Sequence, residues 1–311
     1  MRIAVIADIH GNYPAFISVI ENAKLNNVDK FIFAGDYIFD QPFSNEVVHL
    51  MMKLENAHII KGNKEGYLSS LTNETQDKQM SKQFGSMYQT YKELLPDVFD
   101  FLVNLDDECH IKLNSGISIY TSHYPYNIIS GYSPQLVLFK SSNFHSRMIE
   151  TPFTHEQYLE DFNTAVNDVN IKSKLEKIDE DVIIFAHNHL QAYGYCGDKL
   201  IINPGSCGQS LDFNTDAAYT ILEITDNGFN VIEKRVKYDI EYAVNQIKKS
   251  MLYEKGRVYS EIVILAITTG KDNLEILFDI AQKLALSKNE PQRGYFSDST
   301  WEEAYEIFIK R

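Results

Sequence analysis

Five short apolar runs, each ending in residues that carry chemistry, constrain this chain more than any other feature. Ile3–Ala7 leads into Asp8-Ile9-His10, Phe31–Ala34 into Gly35-Asp36, and Ala57–Ile60 through Lys61 into Gly62-Asn63-Lys64-Glu65. Ile117–Ser122 leads into His123, and Val182–Ala186 into His187-Asn188-His189. Runs this short and this apolar read as strands buried on both faces. Ligands of α/β sheets gather beyond the carboxyl ends of the strands. There this chain places two Asp, one Asn and four His. An Asp-x-His, a Gly-Asp or a His-x-His is common alone, as a cap, a turn or a pair of edge imidazoles. Five strand ends in succession, all delivering such groups, make the pattern specific.

The rest of the chain is read around those strands. Gly11 gives a tight turn, Pro14 suits a first helical turn, and Phe16, Ile20 and Ala23 share a helical face. With a helix over Val47–Leu54, the first sixty residues read β-α-β-α-β, which predicts parallel strands. Residues 67–105 predict one or two helices, and His110–Leu113 with Gly116–Thr121 a hairpin turning at Asn114-Ser115. Residues 124–180 carry little strand signal and turn helical from about Thr154 to Leu175. Long connections between core strands are commonly lids or binding elements, so 67–105 and 124–180 are expected to cap a catalytic domain spanning 1–238. Strands at Val182–Ala186, Ala192–Tyr195, Lys199–Ile202, Ala218–Ile224 and Asn230–Lys234 are separated by the turns Gly197-Asp198 and Asn227-Gly228. They predict an antiparallel second half, and hence two facing sheets, one from each half. Residues 239–311 predict a helical extension on the same domain. Asp239–Met251 and Asn273–Leu286 are amphipathic, and a capping box at Ser299-x-x-Glu302 opens a last helix through Ile309. Ile262–Ile267 reads as core strand or interface.

Composition narrows the partners. Lys and Arg number 29 against 43 Asp and Glu, a net charge of -14, which argues against general binding of nucleic acid or anionic membrane. Three cysteines without a Cys-x-x-Cys pair suggest reduced thiols. The first apolar run is too short for a secretory leader, and no run approaches the roughly 20 residues that span a bilayer. A cytoplasmic protein is expected.

Carboxylate, amide and imidazole donors without thiolate suit Mn²⁺, Fe or Zn²⁺ better than Ca²⁺ or an iron–sulfur cluster. Seven donors are too many for one ion with an open position. They suit two ions about 3.5–4 Å apart with a shared carboxylate. Such a centre attracts phosphate oxygens and acidifies water, making a local anion site on an acidic protein.

The order Asp8-x-His10, Gly35-Asp36, Gly62-Asn63, His123, His187-x-His189 resembles the calcineurin-like metallophosphoesterase family. Asn203-Pro204-Gly205-Ser206 with Gly208-Gln209 is similar to the segment following the His-x-His in its small bacterial branch. The motifs cover most of residues 1–235. The resemblance implies an α/β fold of two facing mixed β-sheets flanked by helices, a four-layer sandwich. It implies one metal, most simply Mn²⁺, held by Asp8, His10, Asp36 and His189, and a second held by Asp36, Asn63, His123 and His187. A hydroxide bridging them would attack phosphorus in line. It further implies a small phosphorylated substrate, with dinucleoside polyphosphates (asymmetric cleavage of diadenosine tetraphosphate) or other phosphodiesters preferred. A phosphoprotein phosphatase and a catalytically silent protein-binding scaffold are the alternatives.

Two positions depart from the family pattern. Ala186 stands where a non-ligating glycine is usual. Lys64 stands where many members carry a histidine that protonates the leaving group. A lysine near its ordinary pKa of about 10.4 is a weak proton donor at pH 7 but a lasting positive charge. Lys64 is thus a candidate catalytic and substrate-binding residue favouring leaving groups that need little protonation, or else a solvated surface lysine. Asn12, near a helix N-terminus, is a candidate phosphate contact. Tyr124, with Tyr67 and Tyr126, is a candidate for stacking a nucleobase. His49, His58 and His110 read as structural, and His145, Arg147 and His155 as surface or cap residues.

Overall fold

A computed structural model describes residues 1–71, 73–124, 152–225, 228–291 and 294–311. Residues 125–151, which hold most of the first part of the second expected cap together with Tyr126, His145 and Arg147, lie outside the described residues, as does Asn227.

The chain begins with β1 (Arg2–Ile6), α1 (Tyr13–Leu25), β2 (Lys30–Phe33), α2 (Ser44–Met51) and β3 (Ala57–Ile59). β1 pairs with β2 and β2 with β3, both parallel. Four short helices follow, α3 (Asn63–Leu71), α4 (Gln76–Met80), α5 (Gly85–Glu93) and α6 (Pro96–Val103), where one or two were expected. Next come β4 (Glu108–Lys112), β5 (Ser118–Ser122), α7 (His155–Val166), α8 (Val169–Leu175), β6 (Val182–Ile184), β7 (Gln191–Cys196), β8 (Lys199–Pro204), β9 (Ala217–Thr225) and β10 (Gly228–Val236). The last five helices are α9 (Ile240–Lys249), α10 (Met251–Lys255), α11 (Arg257–Thr269), α12 (Leu274–Ser287) and α13 (Asp298–Phe308).

The ten strands form two mixed five-stranded sheets, ordered β10-β9-β1-β2-β3 and β4-β5-β6-β8-β7. This corrects two expectations. The sheets do not divide by halves, because β9 returns from late in the chain to lie antiparallel beside β1. The second half is not purely antiparallel, because β5, β6 and β8 run parallel. Strand alternation fixes the layers. Ile3, Val5, Ala7, Ile32 and Leu222 of one sheet meet Ile119, Val182, Ile184 and Ile202 of the other in one buried cluster. Ala4, Ile6, Phe31 and Phe33 point the opposite way into a core with α1, α2 and α6. Tyr120, Ile183, Phe185 and Ile201 do the same beneath α7 and α8. Each fully buried Val, Ile, Leu or Phe contributes roughly 1.5–3 kcal/mol. Strands buried on both faces therefore have little freedom to shift their ends.

The helix starts are specified locally. Thr154 accepts from Gln157 N while the Gln157 side chain accepts from Thr154 N, a capping box opening α7. The last helix starts two residues earlier than expected. Ser297, not Ser299, caps it by accepting from Thr300 N at 3.2 Å. Ile262–Ile267 is neither strand nor free surface but the middle of α11. Ile262 packs with Trp301 and Leu277, and Val263 and Ile267 pack with Ala243 and Ile247. Burial between two helical clusters explains why this run is apolar on every side. No helix among the described residues is long and apolar enough to cross a membrane.

Candidate metal centre

The ends of β1, β2, β5 and β6 and the start of α3 converge on one edge of the sandwich. Asp8, His10, Asp36, His187 and His189 follow their strands with φ of 53°, 51°, 59°, 76° and 62°. A left-handed backbone costs a residue bearing a Cβ about 1–2 kcal/mol, and such strain persists only where the surroundings over-determine it. Here they do. Asp8 N donates to Gly35 O (3.0 Å), Ile9 N and His10 N both donate to Asp36 O (2.7 and 3.1 Å), and Asn188 N donates to Ala186 O (3.0 Å). Residues 203–209 close the cradle from the other side. Ser206 Oγ donates to Asp8 O (2.7 Å), and Gly208 N donates to the same carbonyl (2.9 Å).

The glycines of the Gly-Asp and Gly-Asn pairs are steric requirements. A Cβ on Gly62 would lie 2.1 Å from Asp36 Oδ1, and one on Gly35, at φ 97°, 2.5 Å from His123 Nδ1.

Two donor sets result. In the first, Asp8, His10 and His189 are buried and their donor atoms lie within 4.8 Å of one another. His10 Nε2 is 3.2 Å from His189 Nε2, and Asp8 Oδ1 is 3.6 Å from His189 Nε2 and 3.9 Å from His10 Nε2. Asp8 Oδ1 is buried without a hydrogen-bond partner. In the second set, Asp36, His123 and His187 likewise lie within 4.8 Å. Asn63 Oδ1 sits among them, 3.1 Å from His123 Nε2 and 3.0 Å from His187 Nδ1. Asp36 stands between the sets, with Oδ1 3.5 Å from His123 Nε2 and Oδ2 3.9 Å from His10 Nε2.

The arrangement fits divalent cations. A buried carboxylate oxygen with no N–H or O–H to accept from is costly, and a cation relieves it. Two imidazoles are hydrogen-bonded at Nδ1, His123 to Ala34 O (2.6 Å) and His189 to Gln209 O (2.7 Å), and His10 Nδ1 lies 2.8 Å from Asp40 Oδ2 as an ion-pair contact. An Nδ1–H donated outward leaves Nε2 with its lone pair facing the centre, the usual preparation of a metal-ligating histidine. Electrostatics divide the donors into those free of protons and those whose proton a metal must displace. Burial and the neighbouring positive His123 push His187 down to about 3, so it is neutral and able to donate a lone pair. Burial pushes Asp8 up to about 7. For His123 burial acts downward, but Asp36 outweighs it and raises the imidazole to about 9. Burial also opposes ionisation of Asp36, yet His123, His10 and Lys64 hold its carboxyl well below the ordinary range.

Two carboxylates not assigned a role from the sequence support this centre. Asp40 (φ 62°) orients His10 and also binds Lys64 Nζ (3.0 Å) and the Tyr259 hydroxyl (2.9 Å). Glu65 is fully buried and accepts from Asp36 N (2.9 Å), Tyr37 N (2.8 Å) and Gly62 N (2.8 Å). Burial and Asp36 push its carboxyl upward despite those three donors. An acid inside an otherwise apolar run, as at Ile38-Phe39-Asp40, is the signal that could have flagged the first.

The remaining candidates fall as follows. Asn12 is corrected. It is buried at the N-cap of α1, accepting from Ala15 N (3.2 Å) and donating to Gly208 O (2.8 Å), so both ends of its amide are engaged by the fold rather than offered to phosphate. Lys64 is not a solvated surface lysine. Its backbone N donates to Asp36 Oδ1 (2.9 Å) and its ammonium is held by Asp40. Burial disfavours the charge, but Asp40 outweighs it and holds the ammonium well above its usual range. Tyr124 is half-buried, its ring centroid 5.1 Å from His123 and 4.9 Å from His187. Tyr67, an exposed tyrosine, accepts from Asn63 Nδ2 at 3.3 Å. His49 and His110 pair with Asp97 and Glu180, and His155 with Glu233, away from the centre.

Residues 1–204 match the calcineurin-like phosphoesterase family, and the chain belongs to that family. The family is dinuclear metal-dependent, in keeping with two possible metal-binding groups among the described residues. The uncharacterized protein MJ0912 of Methanocaldococcus jannaschii is 25% identical over 271 residues, covering 81% of this chain and 94% of that protein. Among solved structures, a metallophosphoesterase from Sphaerobacter thermophilus has a TM-score of 0.60 at 18% identity, covering 87% of this chain and 99% of that one. The hypothetical protein PH1004 from Pyrococcus horikoshii has a TM-score of 0.61 at 16% identity, covering 86% and 98%. Those two likenesses establish the same fold.

Proposed function

We propose that this chain hydrolyses phosphoric esters or anhydrides with two divalent ions. Asp8, His10, Asp36 and His189 would hold one and Asp36, Asn63, His123 and His187 the other, with Asp36 shared. The observation that carries the reading is the orphaned Asp8 Oδ1 facing tethered imidazoles whose Nε2 atoms point inward. A donor set of oxygen and nitrogen favours Mn²⁺, with Fe or Zn²⁺ also suited. Such ions neutralise charge on a phosphoryl group and acidify water.

The chain's own residues supply position and charge. Asn63, at the start of α3, holds its carbonyl toward two imidazoles and its amide toward Tyr67. Lys64 keeps its proton at neutral pH because Asp40 stabilises the ammonium. A leaving group must therefore depart without a proton from Lys64, which favours nucleotide phosphates cut from an anhydride over simple alkoxides. Tyr67 and Tyr124 flank the second donor set with aromatic rings that suit a nucleobase. Dinucleoside polyphosphates combine both requirements and are the preferred substrate class.

The test is chromatography of products from diadenosine tetraphosphate incubated with the protein and Mn²⁺. ATP plus AMP, absent with His187→Ala, is expected. Intact substrate from protein carrying metal would contradict the preference and redirect the search to phosphoproteins and smaller phosphodiesters.

A further inference from the structure

A cavity of about 190 Å³ lies beside the metal centre, and residues beyond the family match build one wall of it. Its lining includes Phe39, Tyr67, Phe84, Tyr259 and Phe278, with Leu274 at the start of α12. The floor is polar, being the Asp40–Lys64 ion pair capped by the Tyr259 hydroxyl. Three lining residues each touch a donor of the centre. Asp40 lies 2.8 Å from His10 Nδ1, Lys64 N donates to Asp36 (2.9 Å), and Tyr67 accepts from Asn63 (3.3 Å).

Aromatic walls favour a flat ring, by stacking and edge contacts. A volume of about 190 Å³ falls below the roughly 300–1,000 Å³ of pockets that hold drug-sized molecules. It therefore suits one ring system and not a whole nucleotide. Lys64 Nζ, held on one side by Asp40, has further N–H donors for the edge of a heteroaromatic ring.

We propose that this cavity, closed by α11 and α12, is the subsite that binds the planar heteroaromatic ring of the substrate, a nucleobase, while its phosphate reaches the metal centre. Specificity is then set by the C-terminal helices and chemistry by the family core. The inference rests on the phosphoesterase reading for the placement of the phosphate but not for the binding of the ring. Tyr67 belongs to both wall and rim, which joins this subsite to the aromatic edge of the second donor set.

The experiment compares binding of AMP and ribose 5-phosphate to the Mn²⁺-loaded full chain by calorimetry. Adenosine is also titrated into protein stripped of metal by a chelator. AMP is expected to bind at least about tenfold more tightly than ribose 5-phosphate, a difference of about 1.4 kcal/mol. That ratio should collapse toward one in Leu274→Trp and, independently, in Met87→Trp, two variants that fill the cavity from α12 and from α5. Equal binding of the two phosphates by the wild-type chain would overturn the proposal, as would a ratio that survives in either folded variant. Adenosine binding without metal, lost in the filled variants, supports the ring subsite even if no hydrolysis is found. Metal-dependent hydrolysis without ring preference would leave the phosphoesterase reading standing and remove this one.

Discussion

The two donor sets are built to different tolerances. In the first, Asp8, His10 and His189 are buried, all three adopt left-handed backbone, His189 is hydrogen-bonded at Nδ1 and His10 Nδ1 pairs with Asp40. In the second, Asp36 and His123 are also buried, but Asn63 and His187 are half-buried, with Asn63 Oδ1 3.0 Å from His187 Nδ1. Asn63 comes from the start of a helix and not from a strand end. The first set is thus wholly buried and pre-organised, whereas the second has two half-buried members beside Tyr67 and Tyr124, where a substrate would approach. Preorganisation lowers the ordering entropy of binding, so the first set should hold its ion more tightly.

The largest expected effect comes from removing the residue common to both. Asp36→Ala should lose both ions and lower activity by more than about 10³-fold, beyond the usual 10²–10³ for a single lost stabilising donor. Metal analysis after dialysis checks it, and one ion retained at full occupancy would mean that Asp36 is not shared. Removing Glu65 tests the frame and not the ligands. Glu65→Ala strands three buried N–H groups, each worth about 1–3 kcal/mol. Chemical denaturation should show a loss of roughly 3 kcal/mol or more, and an unchanged midpoint would contradict the role given to this carboxylate.

A sharper division is expected of Asp40→Asn. It touches His10 and neither His123 nor His187, so it should weaken the tighter ion by about 10–100-fold, the usual cost of losing an orienting partner. The other ion should be spared, and calorimetric Mn²⁺ titration distinguishes the two. Equal weakening at both would erase the comparison. A further effect of similar size separates the sets by pH. A proton on Asp8 competes with metal at the first set below about pH 7, and one on His123 competes at the second below about pH 9. Affinity therefore rises with pH at both, by about tenfold per unit below each pKa for one displaced proton. Between pH 7 and 9 only the second set should tighten. A first set that tightens equally across that range would show that its carboxylate is not the competing base.

Much of the centre was legible because a strand end is a local signal. A run such as Ile3–Ala7 is short and apolar, so the groups after it must lie at the sheet's edge, and the five runs named Asp8 through His189 together. What lay beyond reach was long-range. Nothing within Ala217–Thr225 says that β9 pairs with β1 across most of the chain, so the division of strands between sheets was misread. Asp40 gains its meaning from His10, Lys64 and Tyr259, the last contributed by α11 some 219 residues later. Asn12 reads identically as a cap or a phosphate contact, and only the carbonyl of Gly208 against its amide decides. Ser297 and Ser299 are both plausible caps, separated only by which hydroxyl reaches Thr300 N. Ile262–Ile267 lost its helical period because helices cover it on two sides.

The central claim is that two unequal sites share Asp36. It is tested most directly by titrating metal-stripped protein with Mn²⁺ while recording electron paramagnetic resonance. Two ions bound per chain are expected, filling in sequence, with the signal of the first altered as the second arrives because one carboxylate bridges them. A single ion at saturation, or two whose signals simply add, would contradict it.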